Sequence, residues 1–131
     1  MGLDMSVGEM SHRIGSYSSF AHYRRELFKF FHDEDLDMME GFYLGVDPTK
    51  FKNLKFSDLK HDKLISLINH SDCDGEITAD EAAQCLPDLE VYKHYLEIQN
   101  KPDIEYRIAV TDRLIELFRH SMATGLPIVF H

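Results

Sequence analysis

The chain has 131 residues and carries 23 Asp and Glu against 14 Lys and Arg, a net charge of −9. Hydrophobic residues make up 44% and charged residues 28%, the balance of an ordinary globular protein, and the length suits one domain over 1–131. This acidity excludes general nucleic-acid binding, which draws on clustered Lys and Arg, and favours a cation or a basic protein partner. No apolar run approaches the ~20 residues that span a bilayer, so no membrane segment is expected.

Leu3, Met5 and Val7 alternate with Asp4 and Ser6, which predicts a strand. Gly8 punctuates it, and Met10 to Ile14 reads as a second short strand ending at Gly15. Ser16-Tyr17-Ser18-Ser19 offers helix caps, and Phe20, Tyr23, Leu27, Phe30 and Phe31 then recur at helical spacing as a core-facing stripe. His22, Arg25 and Lys29, with Arg24 beside them, read as a small basic surface face. The acidic stretch Asp33 to Glu40, with Leu36, Met38 and Met39 interleaved, predicts a short helix ending at Gly41. Phe42 to Val46 reads as loop or strand, and Asp47-Pro48 marks a turn. Ser57 or Asp58 caps the next helix, which runs to about Asn69 with Leu64, Leu67 and Ile68 on its buried side.

Thr78 and Glu81 fit a capping box, a hydroxyl followed three positions later by a carboxylate. The helix they start is expected to stop near Pro87, which itself starts another through Tyr92, Tyr95 and Leu96. The last helix begins at Pro102 and presents Ile104, Ile108, Leu114, Leu117, Phe118 and Met122 as its apolar face. Gly125 closes it, Pro127 prevents continuation, and Ile128 to Phe130 form a terminal strand. Strand signals at both ends predict that the termini pair in one small sheet covered by helices, a mainly helical α+β fold.

The strongest motif is Asn69-His70-Ser71-Asp72-Cys73-Asp74-Gly75-Glu76-Ile77-Thr78-Ala79-Asp80-Glu81-Ala82. It matches a helix-loop-helix EF-hand, which needs oxygen ligands at positions one, three, five and twelve, Gly at six and an apolar residue at eight. With Gly75 at six, Asp72 and Asp74 bring charged oxygens at three and five, and Ile77 packs inward at eight. Glu76 offers its carbonyl at seven and Thr78 a hydroxyl or a water at nine. Glu81 sits at twelve on the first turn of the following helix and can clamp bidentately. The departure is His70 at position one, because calcium prefers oxygen to imidazole. If Asn69 is taken as first ligand instead, Ile68 falls correctly before it but the loop carries one extra residue. The loop is therefore a variant, with Asn69 or His70 as first ligand. Calcium is the expected ion, with manganese or zinc less favoured alternatives that accept imidazole.

A rival reading takes His70-Ser71-Asp72-Cys73-Asp74-Gly75 as the first metal motif of DHH phosphoesterases, a metal-dependent hydrolase. That motif follows a strand and needs downstream Asp and His motifs, which the sequence lacks. A third reading leaves the loop empty, with Asp and Gly serving only as turn residues. Cys73 and Cys85 are too far apart for a redox pair, which suits a reduced, cytoplasmic setting. No secretory signal is expected, while Met1-Gly2-Leu3-Asp4-Met5-Ser6 fits the loose N-myristoylation template.

The opening Met-Gly-Leu-Asp-Met-Ser-Val-Gly, then Gly15-Ser16-Tyr17-Ser18-Ser19-Phe20 and Arg24, then His70 through Glu76, resemble a group of small uncharacterised bacterial proteins. The resemblance implies a bacterial or phage origin and weakens the myristoylation reading. The functional expectation is a non-enzymatic binding protein with one divalent-cation loop, which acts by contacting a basic macromolecule as an immunity, inhibitor or anti-defence protein does.

Overall fold

The computed structural model describes residues 2–32, 64–68, 70, 75–99 and 104–131. The chain opens with strands β1 (Gly2–Val7) and β2 (Met10–Ser16), joined by a two-residue turn, and continues into helix α1 (Tyr17–His32). Helix α2 (Ile65–Ile68), strand β3 (Glu76–Ile77) and helix α3 (Ala79–Ile98) follow, then helix α4 (Ile104–Thr124) and strand β4 (Ile128–Phe130).

The four strands form one antiparallel sheet in the order β2-β1-β4-β3. The terminal strand therefore inserts between the first strand and the short strand that leaves the loop. Met5 lies opposite Phe130, and Ile77 lies opposite Ile128. Period-two alternation explains the layer below: Leu3, Met5, Val7, Ile14, Ile77, Ile128 and Phe130 are all buried, and the helices cover this face. The predicted mainly helical α+β fold, with both termini paired in one sheet, is the fold observed.

Local signals explain most of the elements. Ser16 caps α1, its hydroxyl accepting from Ser19 N–H at 3.1 Å. At the other end of the chain, Gly125 ends α4 at φ +74°, where a side chain would be strained.

Four expectations need correcting. Pro87 lies inside α3 and does not end it. The ~3 kcal/mol that an interior proline costs is outweighed by Cys85, Leu86, Leu89 and Tyr92, which stay buried along one continuous helix. Phe28 is buried in α1 whereas Phe30 is exposed, because the buried face runs through Phe20, Tyr23, Arg24, Leu27 and Phe28. Met122 is also exposed, since it sits one step past the buried Phe118–Ser121 edge of α4. Arg24 belongs to the interior, not to a basic surface: it is 4% exposed. The segments predicted over 33–63, including the helix ending at Gly41, the Asp47-Pro48 turn and the cap at Ser57 or Asp58, lie outside the described residues.

Candidate functional site

Helix α2 ends at Ile68 with Leu64, Leu67 and Ile68 buried, so the apolar side predicted for this helix faces the core. His70 follows, and the described chain resumes at Gly75. Asn69, Asp72 and Asp74 lie outside the described residues, so the candidate site is built from His70, Gly75, Glu76, Thr78 and Glu81.

The outgoing half is built by local chemistry. Thr78 has extended backbone at φ −71° and ψ 162°, as an N-cap needs. Its hydroxyl accepts from Glu81 N–H at 3.2 Å, and Glu81 Oε1 accepts from Thr78 N–H at 3.0 Å. This is the predicted capping box. The Glu81 carboxyl is held below its ordinary pKa, first by the Thr78 backbone N–H and then by the Ser66 side chain, with His70 adding to the effect. Glu81 thus reaches from α3 back to α2.

The incoming half depends on distant residues. Arg24 Nη1 donates to the carbonyl of Ile68 at 3.0 Å and to that of His70, and approaches the Leu67 carbonyl at 3.5 Å. The last carbonyls of a helix have no partner within it, and a cation there also complements the helix dipole. The guanidinium stacks over the Phe20 ring, 4.9 Å from its centroid. Burial, with Arg25 nearby, lowers the Arg24 pKa to about 10, so the group stays charged at neutral pH. Sequence reasoning missed this residue. The signal was its position, four residues after Phe20 and three before Leu27, inside the buried stripe.

His70 closes the loop. Its Nε2 carries a proton and donates it to the Glu76 carbonyl at 3.1 Å. The ring lies on Phe130, centroids 3.9 Å apart with planes inclined by 32°. Gly75 adopts φ +88°, and a Cβ there would meet His70 Cε1 at 3.2 Å. The glycine at position six therefore serves both the sharp turn and the ring packed against it. Phe130 N–H donates to the Gly75 carbonyl at 2.9 Å, so β4 grips the loop through backbone as well as ring. Ile77 is fully buried opposite Ile128, the inward place expected of position eight.

The described donors are thus one imidazole, one carbonyl, one hydroxyl and one carboxylate, each already in a hydrogen bond. Oxygen donors of the Glu76 and Glu81 type suit calcium and the imidazole does not, and among the described residues no group of three or more His, Cys, Asp or Glu is placed to hold a metal ion. The segment leading into His70 is helix α2, not the strand that the phosphoesterase reading requires. Cys85, on α3, is buried, and burial pushes its thiol up to about 12, which disfavours the thiolate.

A separate groove of about 240 Å³ lies between α1, α3 and α4, lined by Glu26, Lys29, Phe30, Tyr92, Tyr95 and Arg107. Phe30 packs on Tyr95 at 4.4 Å and on Tyr92 at 5.3 Å, so the rings largely satisfy one another. Among the described residues no helix is long and apolar enough to cross a membrane. Comparison of the chain with protein-family models, with curated proteins and with solved structures finds no match.

Proposed function

We propose that this chain is a non-enzymatic binding protein whose single variant EF-hand-like loop takes a divalent cation, calcium first, and uses it as a brace. The observation that carries this reading is the pairing of β3 with β4. The strand leaving the loop is tied into the protein's own sheet, with Ile77 buried and Glu81 on the first turn of α3. A cation held by the Glu76 carbonyl and the Glu81 carboxylate would join the sheet edge to α3 without separating the flanking helices. That geometry suits a structural ion and not a sensor that opens on binding.

The His70 position makes the site weak. With a Kd near ~10⁻⁴ to 10⁻³ M, as in weak modules, ~10 mM calcium would stabilise the fold by about 1.4–2.7 kcal/mol. The expected result is a melting temperature roughly 5–10 °C higher in calcium than in EDTA. No shift with calcium, manganese or zinc would overturn the cation reading. A shift with manganese or zinc alone would make His70 a ligand.

The working activity in this reading is contact with a basic macromolecule in the cytoplasm, as an inhibitor or immunity protein makes. The net charge of −9 supports that partner class. A tagged chain that retains no basic protein at low salt, from cells of its own source, would count against it.

A further inference from the structure

Resting on the basic-partner reading above, and on no residue of the loop, we infer that the outward face of α3 is a docking seam for one helix of another protein, an amphipathic helix whose apolar stripe is flanked by Lys or Arg. Helix α3 is apolar on two sides. Cys85, Leu86, Leu89, Tyr92 and Leu96 are buried against the core. On the opposite side Val91 is 53% exposed and Ile98 67%, and Pro87 and His94 are exposed with them. Spacings of four, three and four residues set these four on one face.

Exposed positions inside a helix favour Ala, Glu, Lys, Gln or Arg. Val and Ile there lose rotamer freedom and leave apolar surface in water, so local stability does not account for them. The alternation of three and four residues is that of a coiled-coil seam. Val91 and Ile98 take its a positions, Pro87 and His94 its d positions, and β-branched residues at a favour a two-helix pair.

The flanks specify the charge of the partner. Positions e and g set partner choice; here Glu90 and Glu97 stand at g, Asp88 and Tyr95 at e. Glu90 pairs with Arg119 at 3.0 Å and Glu97 with Lys93 at 3.8 Å. Such solvent-exposed pairs are worth little and exchange readily. Lys93 is drawn to α4 by Asp112 at 2.6 Å, which leaves the rim to the carboxylates. A second copy of this chain would bring the same carboxylates and its own net charge of −9 to the contact. Lys or Arg at the e and g positions of a partner helix would instead meet all three. The face from Pro87 to Ile98 is about 17 Å long, a length that suits a weak, reversible contact.

The test titrates the isotope-labelled full chain at low salt with two synthetic peptides of about three heptads, carrying Ile at a, Leu at d and either Lys or Glu at e and g. The Lys peptide should bind and shift the NMR amide signals of α3 from Asp88 to Ile98, and the Glu peptide should not bind. Val91→Lys with Ile98→Lys should weaken the Lys peptide about tenfold. Met122→Lys with Leu126→Lys, which adds the same charge at other exposed apolar residues, should weaken it far less. If the Lys peptide binds both double variants equally, or shifts residues elsewhere, the seam is overturned while the basic-partner reading stands. If the Glu peptide binds as tightly as the Lys peptide, the charge selection fails and the basic-partner reading with it. If neither binds, the seam is overturned, and retention of a basic protein by the tagged chain still decides the partner reading. A dimer of the chain alone in sedimentation, dissolved by Val91→Lys with Ile98→Lys, would give the face to a second copy and overturn the proposal. The wild-type shift map decides even if a variant folds poorly.

Discussion

The C-terminal end of the loop is held by Thr78 and Glu81, three residues apart, each side chain satisfying the other's backbone N–H. The N-terminal end is held by Arg24, which reaches from α1 to carbonyls 43 to 46 residues further along the chain. The first device forms as soon as its own helix forms. The second exists only after α1 has docked beside α2. One loop is thus anchored by local chemistry on one side and by tertiary structure on the other. Substitutions should separate the two.

The largest effect is expected at Arg24. Replacing it with Met keeps the apolar stem but removes the guanidinium from the Ile68 and His70 carbonyls. A buried charged donor and the acceptors it leaves behind are together worth about 3 kcal/mol. Urea unfolding should show this loss, with Arg24→Lys in between because one ammonium cannot reproduce the fork. The loss should be accompanied by faster hydrogen exchange at the α2 end and little change at Thr78 to Ala82. A loss below ~1 kcal/mol, in the range of an ordinary surface change, would remove the long-range anchor from the account.

Gly75→Ala comes next. At φ +88° the new side chain is strained, at a cost of about 1–2 kcal/mol. Its Cβ also presses on His70 Cε1, and that part should vanish in a His70→Ala background. Equal costs in the two backgrounds, from a double-mutant cycle of urea midpoints, would show that the ring and the glycine are independent.

Thr78→Ala should cost about 1 kcal/mol, the usual value of a lost N-cap, and Thr78→Ser almost nothing. It should leave the His70 ring resonances in place. If it moved them as far as Arg24→Met does, the two ends of the loop would be one cooperative unit and the contrast between them would fall.

The same contrast explains what the sequence makes legible. Thr78 and Glu81 declare the cap because cause and effect lie within four residues. Leu3, Met5 and Val7 declare a strand, and Ile128 to Phe130 another, because alternation is a local pattern. Their pairing was inferable from the need to cover two lone strands. Arg24 was misread because its partners are backbone carbonyls, which carry no residue identity in the sequence. Its place inside the Phe20–Phe28 stripe was visible, yet an arginine there reads as surface until the Leu67, Ile68 and His70 carbonyls arrive as acceptors. Pro87 was misread for a similar reason. Its local cost is legible, but the burial of Leu86, Leu89 and Tyr92 that overrides it is tertiary. In the loop, the residue types pointed to the inward Ile77 and to Glu81 on the first turn. They did not reveal that His70 turns back onto Glu76, because that depends on Phe130 arriving from the far end of the chain.

The smallest expected effect falls on the residue that belongs to both ends. Glu81 caps α3 through Thr78 and also meets the Ser66 side chain of α2, and both contacts hold its carboxyl below the ordinary pKa of 4.5. A folded-state pKa below the unfolded one means that the ionised form is favoured on folding. Its contribution is complete above the unfolded value and is lost as pH falls through the lower folded value. Because Glu81 is only partly buried, solvent screens it and the contribution should stay below ~1 kcal/mol. Urea midpoints of wild type should therefore fall more steeply with acid below about pH 5 than those of Glu81→Gln, which has no proton to take up. Ser66→Ala divides that difference, because the Thr78 N–H that leads the depression is backbone and stays in every side-chain variant. If the cap alone depresses the pKa, Ser66→Ala should leave the extra acid sensitivity unchanged. If the Ser66 contact contributes, Ser66→Ala should reduce it. The second result would mean that α2 is tied to α3 across the loop by a side-chain bond of its own, so that even the locally built end of the site carries a tertiary component.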